Sequence, residues 1–178
     1  MTKCHSLACL YYELEFIHLL ILEIMDKRIE IAINELISME IWSANFYLSL
    51  LVYFKEQDLP VLASWLDMQP HDNMERVYCM MKQVYQCGGY VRMREISWKP
   101  EKWKNLLEAL DRLAEHERYM ANQIAALLAF TKEVDMSIYS CCKQLYQSRV
   151  YVTDVFIELF YILAKRYSRE LPYNPFRD

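Results

Sequence analysis

The sequence predicts an all-α protein, a single bundle of four long helices, and two features of the chain lead to this prediction. Glycine and proline are scarce among its 178 residues, with two and five copies, whereas hydrophobic residues make up 54%. This composition suits long helices and suits neither a β-sandwich nor a disordered chain. The second feature is a repeat of apolar residues, spaced three and four positions apart, in four separate stretches.

The first two helices are predicted on either side of a short turn. The first should run from Asp26, a suitable N-cap, to Gln57, with an apolar side formed by Ile33, Leu36, Ile37, Ile41, Ala44, Leu48 and Leu51. The second should begin at Pro60, where proline is tolerated, and end at Cys87-Gly88-Gly89. Pro70 lies inside it and should bend it, because proline removes a backbone hydrogen bond.

The second half of the chain predicts a long connection and a second pair of helices. Tyr90 to Lys102 should be extended, which is too long for a tight hairpin and suits a segment that crosses the length of a bundle. Helices are then expected from Trp103 to Thr131 and from Ser137 to Tyr167, with a break at Lys132 to Met136. The apolar side of the last helix is expected to include Leu145, Val152, Val155, Phe156, Leu159, Phe160 and Leu163. Short, long and short connections give two antiparallel helical hairpins joined by a crossover.

The chain ends are expected to lie outside this bundle. Residues 1–24 are interpreted as an extension, with Met25 as the expected native start, residues 25–167 as the bundle and residues 168–178 as a short tail. Acidic residues interrupt the apolar sequence of the extension, which argues against a transmembrane helix there. The extension also lacks the uninterrupted apolar run of a secretory signal.

Charge and cysteine usage exclude further classes. A net charge of −4 provides no basic surface for nucleic acid. The six cysteines show no CxxC spacing, so they are interpreted as free or buried thiols of a reducing compartment rather than a zinc site or a disulfide framework. They are Cys4, Cys9, Cys79, Cys87, Cys141 and Cys142.

Glu40 is the candidate functional residue of the first helix. It shares the apolar side with Ala44 and Tyr47. A carboxylate in such a position costs free energy unless a metal ion, an arginine or hydrogen bonds compensate it. Both a metal-binding role and an ordinary ion pair are open on these grounds.

Four segments together resemble bacterial non-haem ferritins. Residues 34–49, Asn-Glu-Leu-Ile-Ser-Met-Glu-Ile-Trp-Ser-Ala-Asn-Phe-Tyr-Leu-Ser, are similar to the first helix of that family. Residues 65–78 resemble its second helix, Cys87-Gly88-Gly89 its glycine pair, and Glu115-His116-Glu117-Arg118 its third-helix motif. The motifs occur in the family's order and spacing, and the resemblance extends from Met25 to Tyr167.

The resemblance implies a ferritin-like four-helix bundle, iron storage in a cage, and oxidation of Fe(II) at a di-iron centre in catalytic subunits. Such a centre needs hard oxygen ligands, a histidine and open positions for dioxygen. By the resemblance, Glu40 and Glu117 match ligands on the first and third helices, and Tyr47 matches a nearby tyrosine. Glu40 and Glu117 are therefore expected to be residual metal ligands of low occupancy.

The chain departs from the family at the other ligand positions. On the second helix, Asn73 stands where the family has a bridging glutamate, and Arg76 stands where it has a histidine. On the fourth helix, Arg149 falls at a glutamine and Val152 at an acid, although a shift of one residue is possible. A guanidinium group cannot ligate a metal. Two carboxylates and two guanidinium groups also sum to zero charge, so a salt-bridged former di-iron site is expected.

The leading hypothesis is a cytoplasmic iron-storage subunit whose ferroxidase site is largely lost, so that enzyme activity is not expected. Iron, weakly bound or stored as mineral, is the expected cofactor, and no haem is expected. The expected partners are further copies of the chain or catalytic ferritin subunits, and neither nucleic acid nor a membrane. Because the segment Leu171-Pro172-Tyr173-Asn174-Pro175-Phe176 lacks the family's short fifth helix, a dimer or smaller shell is also considered.

Two other functions are kept as alternatives. The first is a structural or interaction protein that has abandoned iron. The second is a ferroxidase with a rearranged metal site that uses Asp72 or Glu75. His116 is expected to be a surface or capping residue, and His71 to face solvent.

Overall fold

A computed structural model of the chain describes residues 25–97, 102–134 and 136–170. These residues form four helices and no strand: α1 (Lys27–Glu56), α2 (Pro60–Gln86), α3 (Leu106–Val134) and α4 (Met136–Glu170). The all-α prediction is confirmed. Residues 1–24, predicted to be an extension, and residues 171–178 of the tail lie outside the described part of the chain.

Two apolar clusters fill the two ends of the bundle and define its topology. The first cluster joins the beginning of α1 to the ends of α2 and α3 and the beginning of α4, through residues such as Ile29, Val84, Ile124 and Ile138. The second joins the end of α1 to the beginnings of α2 and α3, together with Phe156 of α4. α1 and α2 are therefore antiparallel, as are α3 and α4. Because α2 and α3 run in the same direction, the chain between them crosses the length of the bundle, as predicted.

Two buried polar residues of α1 hold the beginning of this crossover. Asn34 donates through Nδ2 to the Tyr90 carbonyl oxygen at 3.0 Å and accepts from the Arg92 amide at 2.6 Å. Glu30 accepts from the Tyr90 amide at 3.3 Å and pairs with Arg92 at 3.7 Å. A hydrogen bond from Lys27 contributes most to holding the pKa of the Glu30 carboxyl below its ordinary value. Side chains of α1 thus satisfy backbone groups that no helix ladder satisfies.

Asn34→Ala is expected to lower the free energy of unfolding by roughly 1 to 3 kcal/mol, because the Tyr90 carbonyl and the Arg92 amide lose their partner. Urea unfolding measures this loss, and faster hydrogen exchange at the Arg92 amide locates it. The matched control is Asn45→Ala, since Asn45 donates to the Ile41 carbonyl of its own helix and to no other described residue. Equal effects of the two substitutions would contradict the role assigned to Asn34.

The ends of α3 differ from the prediction. The helix begins at Leu106 rather than at Trp103, because Asn105 caps it by accepting from the Glu108 amide at 2.9 Å. It continues to Val134 and α4 begins at Met136, so the predicted break is wrong at residues 132–134 and at Met136, whereas Asp135 lies outside the described residues. α4 then extends to Glu170, three residues beyond its predicted end. α2, by contrast, continues through Pro70 and ends at Gln86. Gly88, two residues beyond that end, adopts a φ of +68°.

Two residues predicted to lie on buried apolar sides are exposed. Leu48 is 47% exposed and Val155 is 41% exposed. The inner side of α1 near Leu48 is formed by Phe46, Tyr47 and Leu50. Leu48 therefore lies at the outer edge of the apolar side of the helix. Phe156 takes the inner position beside Val155. A repeat of three and four does not specify which edge of a wide apolar stripe faces inward.

In the described part of the chain, one helix, α1, has the length and apolar composition that could span a membrane. Half of its most apolar window is buried inside the bundle. Since core helices of soluble proteins pass the same test, this is weak evidence for a membrane span.

Candidate functional site

A polar cluster lies at the middle of the bundle, between the two apolar clusters. It contains Glu40 from α1, Asn73 and Arg76 from α2, Glu117 from α3 and Arg149 from α4, all of them buried. Arg149 is 0% exposed and is among the largest fully buried side chains of the described residues. Helical spacing places these residues on the inward sides of their helices, and the packing of the four helices brings them together.

Glu40 is held by the two residues of α2. Arg76 donates through Nε to Glu40 Oε2 at 3.1 Å. Asn73 donates through Nδ2 to the Glu40 backbone carbonyl at 3.0 Å, and its Oδ1 accepts from Arg76 Nη2. Asn73 therefore orients the guanidinium group of Arg76 toward the carboxylate. Hydrogen bonds between charged groups are stronger than those between neutral groups, which offsets part of the cost of removing both charges from water.

Glu117 is surrounded by residues of α1 and α4. Its Oε1 accepts a hydrogen bond from the Tyr47 hydroxyl. Its Oε2 lies 3.4 Å from Arg149 Nε and 3.5 Å from the Thr153 hydroxyl. Burial, reinforced by the nearby carboxylates, raises the pKa of Tyr47 well above its ordinary value although Arg149 opposes the shift. Tyr47 is therefore a neutral donor to Glu117.

Arg149 bridges the two carboxylates without forming well-directed hydrogen bonds to them. Its Nη1 lies 4.0 Å from Glu40 Oε2, and its guanidinium carbon lies 6.0 Å from the centre of the Tyr47 ring. None of its three nitrogens has a hydrogen-bond partner of good geometry among the described residues. Burial, the largest single influence, lowers the pKa of Arg149, but Tyr47, Glu117 and Glu40 together raise it above its ordinary value. Arg149 is thus a buried cation held by electrostatic attraction.

Thr153 is a site residue that the sequence analysis missed. It follows Arg149 by one helical turn, donates to the Arg149 carbonyl at 2.9 Å and reaches Glu117. Its spacing of four from Arg149 was the available signal. Nothing is described of the side chain of Val152, so its predicted place in the site stays a prediction.

His116, predicted to be a surface or capping residue, is half-buried. Its ring packs among aromatic rings, with centroid distances of 4.7 Å to Phe46 and 5.4 Å to Trp42. The Nε2 atom is shut off from solvent and has no hydrogen-bond partner among the described residues. Burial, together with Arg149 and Arg112, lowers the pKa of His116 to about 3. His71, by contrast, is exposed as predicted.

Acidification is expected to destabilise the protein through His116. The unfolded chain takes up a proton near pH 6.5, whereas the folded chain resists it until about pH 3, so this part of the stability is present above pH 6.5 and is lost progressively as the pH falls toward 3. Between pH 7 and pH 5 the loss should be roughly 1 to 2 kcal/mol, allowing for the partial exposure of the ring. In urea unfolding, His116→Phe should lose less stability than the unsubstituted protein over the same interval. Identical pH profiles of the two proteins would contradict this role.

The donor set does not fit a di-iron centre. No group of three or more His, Cys, Asp or Glu side chains is arranged to hold a metal ion in the part of the chain that the structure describes. Guanidinium groups cannot ligate metal and repel it. Asp72 and Glu75, the acids considered for a rearranged site, line a surface pocket beside Cys79 and Cys141. The cluster is suited to holding four helices together by charge.

A bundle of two antiparallel hairpins joined by a crossover, with inward carboxylates on facing helices, defines the class of carboxylate four-helix bundles. Comparison with known proteins identifies the family within this class. The model of the family described as "Ferritin: Ferritin-like domain" matches residues 31–148, and the chain belongs to this family. The expected resemblance to bacterial non-haem ferritins is therefore confirmed at the level of the family.

Individual relatives agree with this assignment. The chain is 33% identical over 104 residues to a bacterial non-heme ferritin from Bacteroides fragilis (strain 638R). These 104 residues are 58% of this chain. The matched part spans 65% of the length of that relative. A bacterial non-heme ferritin from Campylobacter jejuni is 22% identical over 104 residues, 58% of this chain and 62% of its own.

Solved structures show the same fold. An open-pore ferritin from the hyperthermophilic archaeon Archaeoglobus fulgidus has a TM-score of 0.71 at 24% identity, covering 76% of this chain and 85% of its own. A ferritin from Chlorobium tepidum has a TM-score of 0.73 at 18% identity, covering 80% of this chain and 86% of its own.

Proposed function

We propose that this protein is a cytoplasmic iron-storage subunit of ferritin type that does not oxidise Fe(II) itself. The observation that carries the proposal is the placement of two guanidinium groups against the two inward carboxylates, Arg76 at 3.1 Å from Glu40 and Arg149 at 3.4 Å from Glu117. Family membership supports iron handling, since the similar proteins from Bacteroides fragilis and Campylobacter jejuni are named as non-heme ferritins.

Charge explains why the interior would not bind iron. The two carboxylates and two guanidinium groups sum to zero, so the cluster needs no metal ion to neutralise it. An incoming Fe(II) ion would meet two positive charges in a medium that screens them poorly. It would also find Asn73 and Arg76 where a di-iron centre has a carboxylate and a histidine. Glu40 and Glu117 could then hold metal only at low occupancy, if an arginine moved away.

Iron in this proposal is cargo, stored as ferric mineral after oxidation elsewhere. The partners would be further copies of this chain or catalytic ferritin subunits in a mixed assembly. Such a division is chemically reasonable, because oxidation and storage are separable steps. Neither haem, nucleic acid nor a membrane has a role in the proposal.

The test is oxidation of Fe(II) by air in the presence of the purified protein, followed by size-exclusion chromatography with mass measurement. Alone, the protein should consume oxygen no faster than buffer. Mixed with a catalytic bacterial ferritin and reassembled, it should co-elute in a large particle that carries a soluble ferric core. Rapid oxidation by the isolated protein that Glu40→Gln abolishes would overturn the loss of catalysis.

A second candidate function is a structural or interaction protein without iron. The observation in its favour is the same self-neutralised cluster, because its charges compensate one another without a metal ion. The two functions separate in the mixing experiment. A protein that elutes as a dimer or small shell, and never joins an iron-bearing particle, would be the interaction protein.

A further inference from the structure

Two cysteines from different helices meet beside the polar cluster and take no part in it. Cys79 of α2 and Cys141 of α4 have their sulfur atoms 4.0 Å apart. They are 62 positions apart in sequence, so the packing of the two helices brings them together. Both are free thiols, Cys79 exposed and Cys141 half-buried.

The pair opens to solvent through a pocket of about 420 Å³. Its other lining residues include Asp72, Glu75 and Arg76 of α2, and Gln144 and Ser148 of α4. A small reagent can therefore reach Cys79, which lies at the surface. The other two described cysteines are placed differently: Cys142 is buried, and Cys87 accepts a hydrogen bond from the side-chain Nε2 of Gln83 at 3.4 Å.

We propose that Cys79 and Cys141 form a modification site, a dithiol that small-molecule disulfides such as oxidised glutathione convert to a disulfide between α2 and α4. The sulfur atoms need to approach by about 2 Å to reach bonding distance. Rotation of the exposed Cys79 side chain can supply part of this movement. The inference does not depend on whether the protein stores iron.

The exchange takes place in two balanced steps. The Cys79 thiolate attacks one sulfur of oxidised glutathione, which breaks that S–S bond and releases one glutathione thiolate. Cys141 then gives up its proton to solvent and attacks the Cys79 sulfur of the mixed disulfide, which releases the second glutathione thiolate. Two protein thiols are oxidised, one small disulfide is reduced to two thiols, and the two protons end on the glutathione products.

The order of the steps follows from exposure. Burial, with a contribution from Cys79, raises the pKa of the Cys141 thiol to about 12, so that Cys141 is a poor first nucleophile. Cys79 is open to solvent and forms the mixed disulfide first. Once that bond exists, the 4.0 Å separation makes the second step intramolecular.

The disulfide would act directly on the helices that carry the two buried arginines. Arg76 precedes Cys79 by less than one turn of α2, and Arg149 follows Cys141 by about two turns of α4. Oxidation would therefore fasten together the two walls of the polar cluster. It would also close a long loop of chain, which restricts the unfolded state.

The test treats the reduced full-length protein with oxidised glutathione and maps disulfides after trypsin digestion without reduction. A linked pair of the peptides 77–82 and 133–143 should appear, disappear with dithiothreitol, and persist in Cys142→Ala, which separates Cys141 from its neighbour. Cys141→Ser should stop at a glutathione adduct on Cys79. The melting temperature of the oxidised protein should rise by roughly 10 °C.

The matched control is Cys87→Ser, which should form the same linked peptides as the unsubstituted protein. Cys79→Ser should form none and show no rise in melting temperature. Three results would each overturn the proposal. They are disulfides between chains on a non-reducing gel, linkage through Cys142 alone, and two stable glutathione adducts in place of the linked peptides.

Discussion

Arg149→Met is expected to lower the free energy of unfolding by roughly 3 to 5 kcal/mol, because it breaks a buried ion pair from one side. Methionine is close to arginine in length and fills the space with apolar atoms, so the main loss is the positive charge. Glu117 would keep its hydrogen bond from Tyr47 and its contact with Thr153, but no cation would lie within 4 Å among the described residues. Urea unfolding measures the difference when both proteins are fitted with one common m-value, the slope of the free energy of unfolding against urea concentration.

The control for this substitution is Arg118→Met, which removes an exposed arginine from the residue next to Glu117. Its effect should stay within about 0.5 kcal/mol. The double substitution Arg149→Met with Glu117→Gln should be more stable than Arg149→Met alone, because it removes the uncompensated charge as well. If the double variant lost the sum of the two single effects, the pair would not be coupled and the electrostatic account of the cluster would fail.

The second large effect is expected on Fe(II) oxidation. Combining Asn73→Glu, Arg76→His and Arg149→Gln places a Glu-x-x-His pair on α2 and removes both guanidinium groups. Glu40 and Glu117 are then free to act as ligands, which restores most of the donor set typical of di-iron bundles. Oxygen consumption after addition of Fe(II) should rise at least about tenfold over the unsubstituted protein.

A readout other than oxidation separates metal binding from misfolding. The triple variant gathers uncompensated carboxylates, so without metal it should melt lower than the unsubstituted protein, and Zn(II) should raise its melting temperature by binding the folded state. Adding Glu40→Gln to the triple variant should reduce both the oxidation and the stabilisation by Zn(II). A triple variant that folds but responds neither to Fe(II) nor to Zn(II) would show that removing the arginines does not recreate a metal site.

The sequence predicted the ends of helices correctly where neighbouring residues determine them. The ends of α1 and α2 were predicted within a residue, because Asp26 accepts from the Arg28 amide as an N-cap and the glycine pair provides the positive φ that ends α2. The predicted end of α3 failed for the opposite reason, since nothing in residues 132–136 is a strong breaker of helix. The predicted burial of Leu48 and Val155 was wrong, because periodicity gives the width of an apolar stripe and not its orientation.

The candidate residues and a site of paired arginines and glutamates were predicted from the sequence, but not which residue contacts which. Resemblance named Glu40, Asn73, Arg76, Glu117 and Arg149, and all five lie in one buried cluster. Neither the role of Asn73 in orienting Arg76 nor the contact of Thr153 with Glu117 follows from the sequence. His116 stands next to a candidate ligand in sequence, yet the helical rotation of about 100° per residue places it in an aromatic cluster instead.

The amino-acid sequence by itself determined that this chain forms four long helices, two hairpins and a crossover, because helix periodicity and breaking residues act within a few positions of the chain. It also determined which charged residues face inward. Only the tertiary structure decided which charge meets which, and that Cys79 meets Cys141. The reason is that Coulomb attraction and thiol contact depend on distances of a few ångströms between separate helices, which the packing of the four helices sets.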